Sequence, residues 1–260
     1  MELLEVQHIK KIYRTRMGAQ AFTALHDVNF TVGRGEFVAI MGPSGSGKTT
    51  LLNLLASLDS PTSGDILLEG RRLADIPDRE LARFRRDHLG FVFQDFNLLD
   101  TFNLRDNILL PLVLSSTPVA EMEKRLAPLA ETLGITRLLN KYPYEVSGGE
   151  KQRAAVARAV ITGPQLLLAD EPTGALDSKA SQHLLQTLSS FHQAGQTILM
   201  VTHSAMAASY ASRVLFIRDG QLFSQIYRGG QEGAPGDRRA FFDKIVSSLT
   251  VLSDGGVDIG

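Results

Sequence analysis

The sequence predicts an α/β protein built on a parallel sheet, and three observations carry that prediction. An apolar pentapeptide, Phe37-Val38-Ala39-Ile40-Met41, runs straight into the glycine-rich loop Gly42-Pro43-Ser44-Gly45-Ser46-Gly47-Lys48-Thr49. Residues 49–58 then carry a helical pattern, so the order is strand, loop, helix. Two further short apolar runs, Leu166-Leu167-Leu168-Ala169 and Ile198-Leu199-Met200-Val201, alternate with helical stretches. Strands buried on both faces read as unbroken apolar runs, and parallel sheets bury both faces.

The remaining elements follow in order. Leu4-Glu5-Val6-Gln7-His8-Ile9 and Val28-Asn29-Phe30-Thr31-Val32 alternate as half-buried strands, and Gly33 and Gly35 mark a turn. Residues 78–86 form a highly charged helix, and 89–93 a strand. Residues 103–137 are mostly helical with a break near Pro118, and a second helical run starts at Gly148 and ends before Gly163-Pro164. A helix is expected over 178–194, a strand over 197–201 and a hairpin over 213–226 around Asp219-Gly220. The helical stretch 95–163 interrupts the α/β core, which spans residues 1–227. Residues 228–236 read as a Gly-rich linker. Residues 237–260 read as an amphipathic helix, with Phe241, Phe242, Ile245, Val246 and Leu249 at helical spacing, and a mobile tail from Ser253.

Composition sets wide bounds. Of 260 residues, 43% are hydrophobic and 21% charged, enough apolar material for a sizeable core. A net charge of -1 provides no global pull toward nucleic acid or anionic lipid. The lack of cysteine excludes disulfides, thiolate metal sites and thiol nucleophiles. The start, Met1-Glu2-Leu3-Leu4-Glu5, lacks the basic-then-apolar pattern of a secretory signal. No run of ~18 apolar residues is present, so any membrane process would need another polypeptide to supply the spans.

The chemistry starts at the glycine-rich loop, which fits G-x-x-x-x-G-K-[ST] at each fixed position. Glycines let the backbone curl so that successive N–H groups face phosphate oxygens. The helix that follows adds its unpaired N-terminal donors. Lys48 is placed to neutralise β- and γ-phosphates, and Thr49 to put a hydroxyl on Mg²⁺. An ordinary Gly/Ser loop is the bland alternative, and the flanking strand and helix argue against it.

A second group lies at other strand ends. Leu166-Leu167-Leu168-Ala169 ends in Asp170-Glu171, and strand ends of an open α/β sheet face the ligand crevice. Asp170 would hold Mg²⁺ through water, and Glu171 would orient or deprotonate the attacking water. Two acids capping the turn before Pro172 is the competing reading, which a phosphate loop in the same chain disfavours. His203 follows another strand; a lone His there is more often structural, but its strand end favours a place near the γ-phosphate. Gln94 follows the 89–93 strand and is either a cation ligand that orients water or a plain loop residue. Its spacing alone does not choose.

Ser147-Gly148-Gly149-Glu150-Lys151-Gln152, between the loop and Asp170-Glu171, resembles the signature of the ABC ATPase family. Around it Gln94 resembles the Q-loop glutamine, Ala175-Leu176-Asp177 the D-loop and His203 the switch histidine. Tyr13 sits where the family places an aromatic against adenine. Glu150 departs from the Gln that many members carry, though Glu also occurs there. The resemblance runs from about residue 2 to 227. It implies a P-loop NTPase core with a parallel sheet, an N-terminal antiparallel β subdomain and a helical subdomain insertion. It also implies ATP and Mg²⁺ as ligands and ATP hydrolysis coupled to transport. Gly42, Ser44, Gly45, Ser46, Gly47, Lys48, Thr49 and Thr50 would hold the phosphates, with Thr49, Gln94 and Asp170 at the metal. Glu171, His203 and Gln94 would be catalytic. Two copies would close head to tail, so that Ser147 and Gly149 contact the γ-phosphate of the partner's nucleotide, and Gly148 and Asp177 would also bind nucleotide. A helix N-terminus at Gly148-Gly149 independently offers free N–H donors to an anion.

Gln94-Asp95-Phe96-Asn97-Leu98-Leu99-Asp100-Thr101, Tyr142-Pro143-Tyr144-Glu145 and Phe241-Phe242 look like the ATPases of bacitracin-type antimicrobial-peptide resistance transporters. These are allied to the macrolide-exporter and lipoprotein-release group. The resemblance implies a separately encoded permease docked on residues 95–115 and the helical insertion. It places the chain in the cytoplasm, peripheral on the inner face of the membrane, and permits a sensor kinase reached through the permease. The rival class is a soluble ABC ATPase working on DNA or the ribosome. Only roughly a hundred residues separate Lys48 from Ser147, without the sustained heptads of a coiled-coil insertion. The chain has one ATPase half and no basic, aromatic-interleaved patch, so no nucleic acid is expected. Arg83, Arg85 and Arg86 read as a solvated helix face. The 237–252 helix either packs on its own subunit or contacts a partner.

Overall fold

Alternation at the N-terminus produces two long strands, β1 (Glu2–Arg14) and β2 (Ala21–Gly33), in the computed structural model, which describes residues 2–14, 21–229 and 237–253. The expected linker from residue 230 and the tail from residue 254 lie outside the described residues. The chain continues with β3 (Phe37–Met41), α1 (Lys48–Leu55), β4 (Ser63–Leu68), β5 (Arg71–Arg72), α2 (Asp78–His88) and β6 (Leu89–Val92). Next come α3 (Leu104–Leu114), α4 (Val119–Thr132), α5 (Gly148–Val160), β7 (Leu166–Asp170), α6 (Ser178–Gln193) and β8 (Thr197–Val201). It closes with α7 (Ala205–Ala208), β9 (Arg213–Arg218), β10 (Gln221–Tyr227) and α8 (Arg238–Ser253). Two compact units result, residues 1–81 with 197–260, and residues 82–196.

In the first unit an antiparallel sheet runs in the order β2-β1-β4-β5. Val6 of β1 pairs with Phe30 on one side and Ile66 on the other, and Leu4, Val6 and Ile9 are buried. β4 was not anticipated, because Ser63-Gly64-Asp65 opens it and only three apolar residues follow. Its place is decided by pairing with β1. Separately, β3 lies between β8 and β9, parallel to both, with Val38 opposite Leu199 and Arg213. Every residue of β3 and β8 is buried, which accounts for their unbroken apolar sequences. β9 and β10 form the expected hairpin, and Asp219 (φ 49) and Gly220 (φ 72) supply the left-handed turn it needs. α1 ends at Leu55, earlier than the pattern suggested; Ser57 at φ 54 turns the chain away. α8 packs on α7, burying Phe241 and Ile245 completely, and Arg238 covers the Tyr210 ring at 4.4 Å. Phe242 is half-buried and Val246 exposed, so only part of the apolar stripe is core.

In the second unit β6 and β7 pair in parallel, Val92 opposite Ala169. α5 packs on β6 and α3. Its buried Ala154, Ala155, Ala157 and Ala159 let the helix approach closely. The break in the 103–137 helical stretch falls at residues 115–118, where Ser116 takes φ 55 and Pro118 precedes α4. Asn103 caps α3 by accepting from Asp106 N at 2.8 Å. Among the described residues no helix is long and apolar enough to cross a membrane.

Candidate functional site

In the first unit the chemistry gathers at the C-terminal ends of β3 and β8. The Gly42–Thr49 loop leaves β3 and ends in α1, whose first turn has no side-chain cap. Gly47 stands at φ 99, and a Cβ there would lie 2.7 Å from Ala24 O, so glycine is needed on both counts. The Lys48 ammonium donates to the carbonyls of Gly42 and Pro43, both at 2.8 Å, which holds the cation over its own loop. Ser46 is buried, and its Oγ has no partner among the described residues. A buried hydroxyl without a partner and an uncapped helix start, beside a lysine, suit a polyphosphate. Thr49 is exposed at the helix start and Thr50 half-buried. His203 is exposed just beyond β8, on the same end of the parallel pair as the loop, since Thr202 N donates to Ile40 O at 3.1 Å.

Tyr13 lies in a polar cluster that the sequence did not announce. Its OH donates to Asp59 Oδ2 at 2.9 Å, and Lys11 Nζ donates to Asp59 Oδ1 at 2.6 Å. The same ammonium sits 4.9 Å from the Tyr13 ring centroid. Burial raises the Tyr13 phenol, and its bond to the Asp59 carboxylate adds to this. For Asp59 burial acts upward too, but Lys11, the Ser60 N–H and Tyr13 outweigh it and hold the carboxyl below its ordinary range. Tyr13 as a residue is 40% exposed, which leaves room for a planar ligand to stack on its ring.

In the second unit Gln94 follows β6, Asp170 ends β7 and Glu171 directly follows it, so all three emerge at the same end of a parallel pair. Glu171 takes φ 44, a conformation a side-chain-bearing residue adopts only when its surroundings enforce it. The Gly174 N–H closes that turn on Glu171 O at 2.9 Å. Gln94 lies against Gly174, where a Cβ would stand 3.1 Å from Gln94 Cδ. Among the described residues no group of three or more His, Asp or Glu side chains could hold a metal ion. Magnesium bound to a nucleotide needs only one or two protein groups beside the phosphates.

Ser147 caps α5 in a reciprocal box with Glu150, and Asp177 caps α6 by accepting from Ala180 N at 2.8 Å. Between the two helix starts lies an open cleft of about 720 Å³ that includes Ser147, Gly148, Gly149 and Asp177, with the basic Arg153 and Lys179. Gln94, Asp170 and Glu171 do not line it. Two helix N-termini and two cations suit an anion.

Residues 25–174, more than half of the chain, match the family described as ABC transporter. The chain belongs to that family. This ABC transporter subunit binds and hydrolyses ATP, and its hydrolysis drives transport. It is 50% identical to the Bacillus subtilis (strain 168) ABC transporter ATP-binding protein YxdL over 99% of this chain and 97% of that one. It is 46% identical to the bacitracin export ATP-binding protein BceA of Halalkalibacterium halodurans, over 99% of this chain and 98% of BceA. A solved dimeric structure of the ATP-binding cassette MJ0796, in a post-hydrolysis state with ADP and Pi, superposes with a TM-score of 0.79 at 37% identity. That match covers 86% of this chain and 98% of MJ0796. The ABC fold expected from the sequence is the one observed.

In the sequence of this ABC ATPase Gln152 stands only as the last residue of the signature hexapeptide, with no role of its own, and Lys11 and Asp59 are not marked at all. Lys11 and Asp59 carry no local pattern that would mark them. Gln152 did leave a signal, because it shares a helix face with the buried Val156 and Ala159, where an apolar residue is the rule.

Proposed function

We propose that this ATPase energises a separately encoded permease for antimicrobial-peptide export, resistance or sensing, of the bacitracin kind. The observation that carries this reading is the near full-length likeness to a bacitracin export ATPase, which extends past the shared cassette into α8. The chain works as a head-to-tail homodimer on the inner face of the cell membrane. Exposed Leu99, Phe102 and the stacked pair Tyr142–Tyr144, ring centroids 5.5 Å apart, supply an apolar surface on the helical unit for the permease. A sensor kinase, reached through the permease, is the finer part of the same proposal.

The residue roles follow from charge and reach. Gly42, Ser44, Gly45, Ser46, Gly47 and Thr50 shape the phosphate cradle, Lys48 neutralises the phosphates, and Tyr13 offers its ring to adenine. Mg²⁺ would take oxygen from Thr49, Gln94 and Asp170 and would offset the charge of the phosphates. Glu171 accepts a proton from the attacking water, with His203 and Gln94 orienting the transferred group and that water. Ser147, Gly148, Gly149 and Asp177 cover the nucleotide of a second copy.

The test uses the purified chain and cells carrying it with its permease. Glu171→Gln is expected to keep ATP affinity, accumulate an ATP-bound dimer on size exclusion and lose turnover. Cells with the unaltered pair should tolerate more bacitracin than cells with the Glu171→Gln pair. Equal bacitracin tolerance would remove the peptide assignment, and free turnover would remove Glu171 from the base role.

A further inference from the structure

α5 begins at the Ser147 cap and, five residues on, carries Gln152, which is 0% exposed. The Gln152 Nε2 group donates to Pro172 O at 2.8 Å and to Phe93 O at 3.3 Å. Phe93 directly precedes Gln94, and Pro172 directly follows Glu171. One buried amide thus ties together the backbones that carry both water-orienting side chains. Two carbonyl partners require the NH₂ end of the amide, which determines its orientation. Its Oε1 is left buried without a partner among the described residues. A Met or Leu of similar volume would fill the site without that cost, so core filling alone does not explain a glutamine here.

The segments it holds carry left-handed residues. Glu171 lies at φ 44, and beyond Gln94 both Phe96 (φ 62) and Asn97 (φ 50) are left-handed. Arg158, six residues further along the same helix, donates to Asn97 O at 2.5 Å and Phe96 O at 2.9 Å. Burial lowers the Arg158 guanidinium below its ordinary range, as expected for a cation spent on backbone carbonyls. Strained backbone persists where its surroundings over-determine it, and α5 supplies those surroundings at both sites.

We infer that Gln152 is a positioning residue that couples the Ser147 end of α5 to the Gln94 and Glu171 segments of the same subunit. Ser147 and Gln152 are separated by about 7.5 Å of helix, a length over which a helix moves as a rigid body. A partner's nucleotide that engages Ser147 therefore shifts Gln152, and Gln152 sets the turn that aims Glu171. Each subunit's hydrolytic carboxylate then responds to the nucleotide held by the other. This rests on the roles proposed above for Ser147 and Glu171.

The test compares Gln152→Met with the unaltered full-length chain. Turnover is expected to fall about tenfold or more, with ATP affinity and KM changed less than about threefold, because positioning enters the transition state and not nucleotide binding. The acid limb of the turnover–pH profile should move, a readout that loss of packing does not produce. In the Glu171→Gln background Gln152→Met should add no further loss. Unchanged turnover in Gln152→Met, or a fall matched by lost ATP binding, overturns the inference. If instead Glu171→Gln itself turns over freely, the role proposed for Glu171 has failed first, and the two failures are distinct. Gln152→Glu, which keeps the shape and removes the donor, serves if Gln152→Met does not fold. If neither folds, hydrogen exchange of the Glu171→Gln chain decides. ATP must protect residues 147–152 and 171–174 together, and protection of the first segment alone overturns the inference.

Discussion

Ser147 and Glu150 close on each other at the start of α5: Ser147 N donates to Glu150 Oε2 at 2.7 Å, and Ser147 Oγ donates to the same oxygen at 2.8 Å. Glu150 N returns to Ser147 Oγ at 3.4 Å. The box secures the helix start, yet it occupies the hydroxyl proposed to meet the partner's γ-phosphate and adds a negative charge there. The backbone and then the hydroxyl of Ser147 hold the Glu150 carboxyl below its ordinary range. A depressed carboxyl adds stability above its unfolded value and loses it as pH falls through its folded value. Glu150→Gln is therefore expected to flatten the acid side of the stability–pH curve, read by thermal melts. In the Glu171→Gln background it should also lower the ATP concentration needed for dimerisation by about two- to fivefold, since a like charge is removed. An unchanged requirement would show that Glu150 does not face the nucleotide.

Lys48 donates to the Gly42 and Pro43 carbonyls of its own loop, both at 2.8 Å, from a half-buried position at the start of α1. Lys48→Ala is expected to weaken ATP binding by about ten- to a hundredfold, the worth of one or two charge-assisted hydrogen bonds. The melting temperature without nucleotide should stay within a degree or two of the parent, about what a surface change produces. Equilibrium binding of a fluorescent ATP analogue reads the first, calorimetry the second.

Asp59 fastens Tyr13 and Lys11 at once. Asp59→Ala leaves the ring of Tyr13 untethered, and ATP affinity should fall about three- to tenfold, the cost of ordering one aromatic side chain on binding. Tyr13→Ala should fall further, and the two changes together should equal Tyr13→Ala alone. Additive losses on titration would separate Asp59 from Tyr13.

Phe241 is fully buried where α8 meets α7. Phe241→Ala should cost about 3–5 kcal/mol of stability, as a large aromatic leaves a cavity. Val246→Ala, at a 41% exposed position on the same helix, should cost far less. Urea melts of both variants check this. A Phe241→Ala chain as stable as the parent, but uncoupled from its permease, would instead make α8 a docking element.

The loop, the apolar strands that lead to it and the capped start of α5 were legible in the sequence, because local rules govern them. Left-handed torsions call for glycine, strands buried on both faces call for unbroken apolar residues, and a Ser with Glu three residues on marks a helix start. The class of chemistry is therefore present in residues 42–49, 147–152 and 170–171 of the sequence itself. Tertiary structure alone decided what supports that chemistry. β4 joins its sheet by pairing with β1, Lys11 finds Asp59 across 48 residues, and Gln152 reaches Phe93 across 59. Gln152 spends its amide on backbone carbonyls, a group every residue carries, so its polar place on an apolar helix face could mark it as unusual but not name its partners. The positive φ of Glu171 was hidden for the same reason: the surroundings that hold a turn, and not the residue in it, decide whether strain is kept.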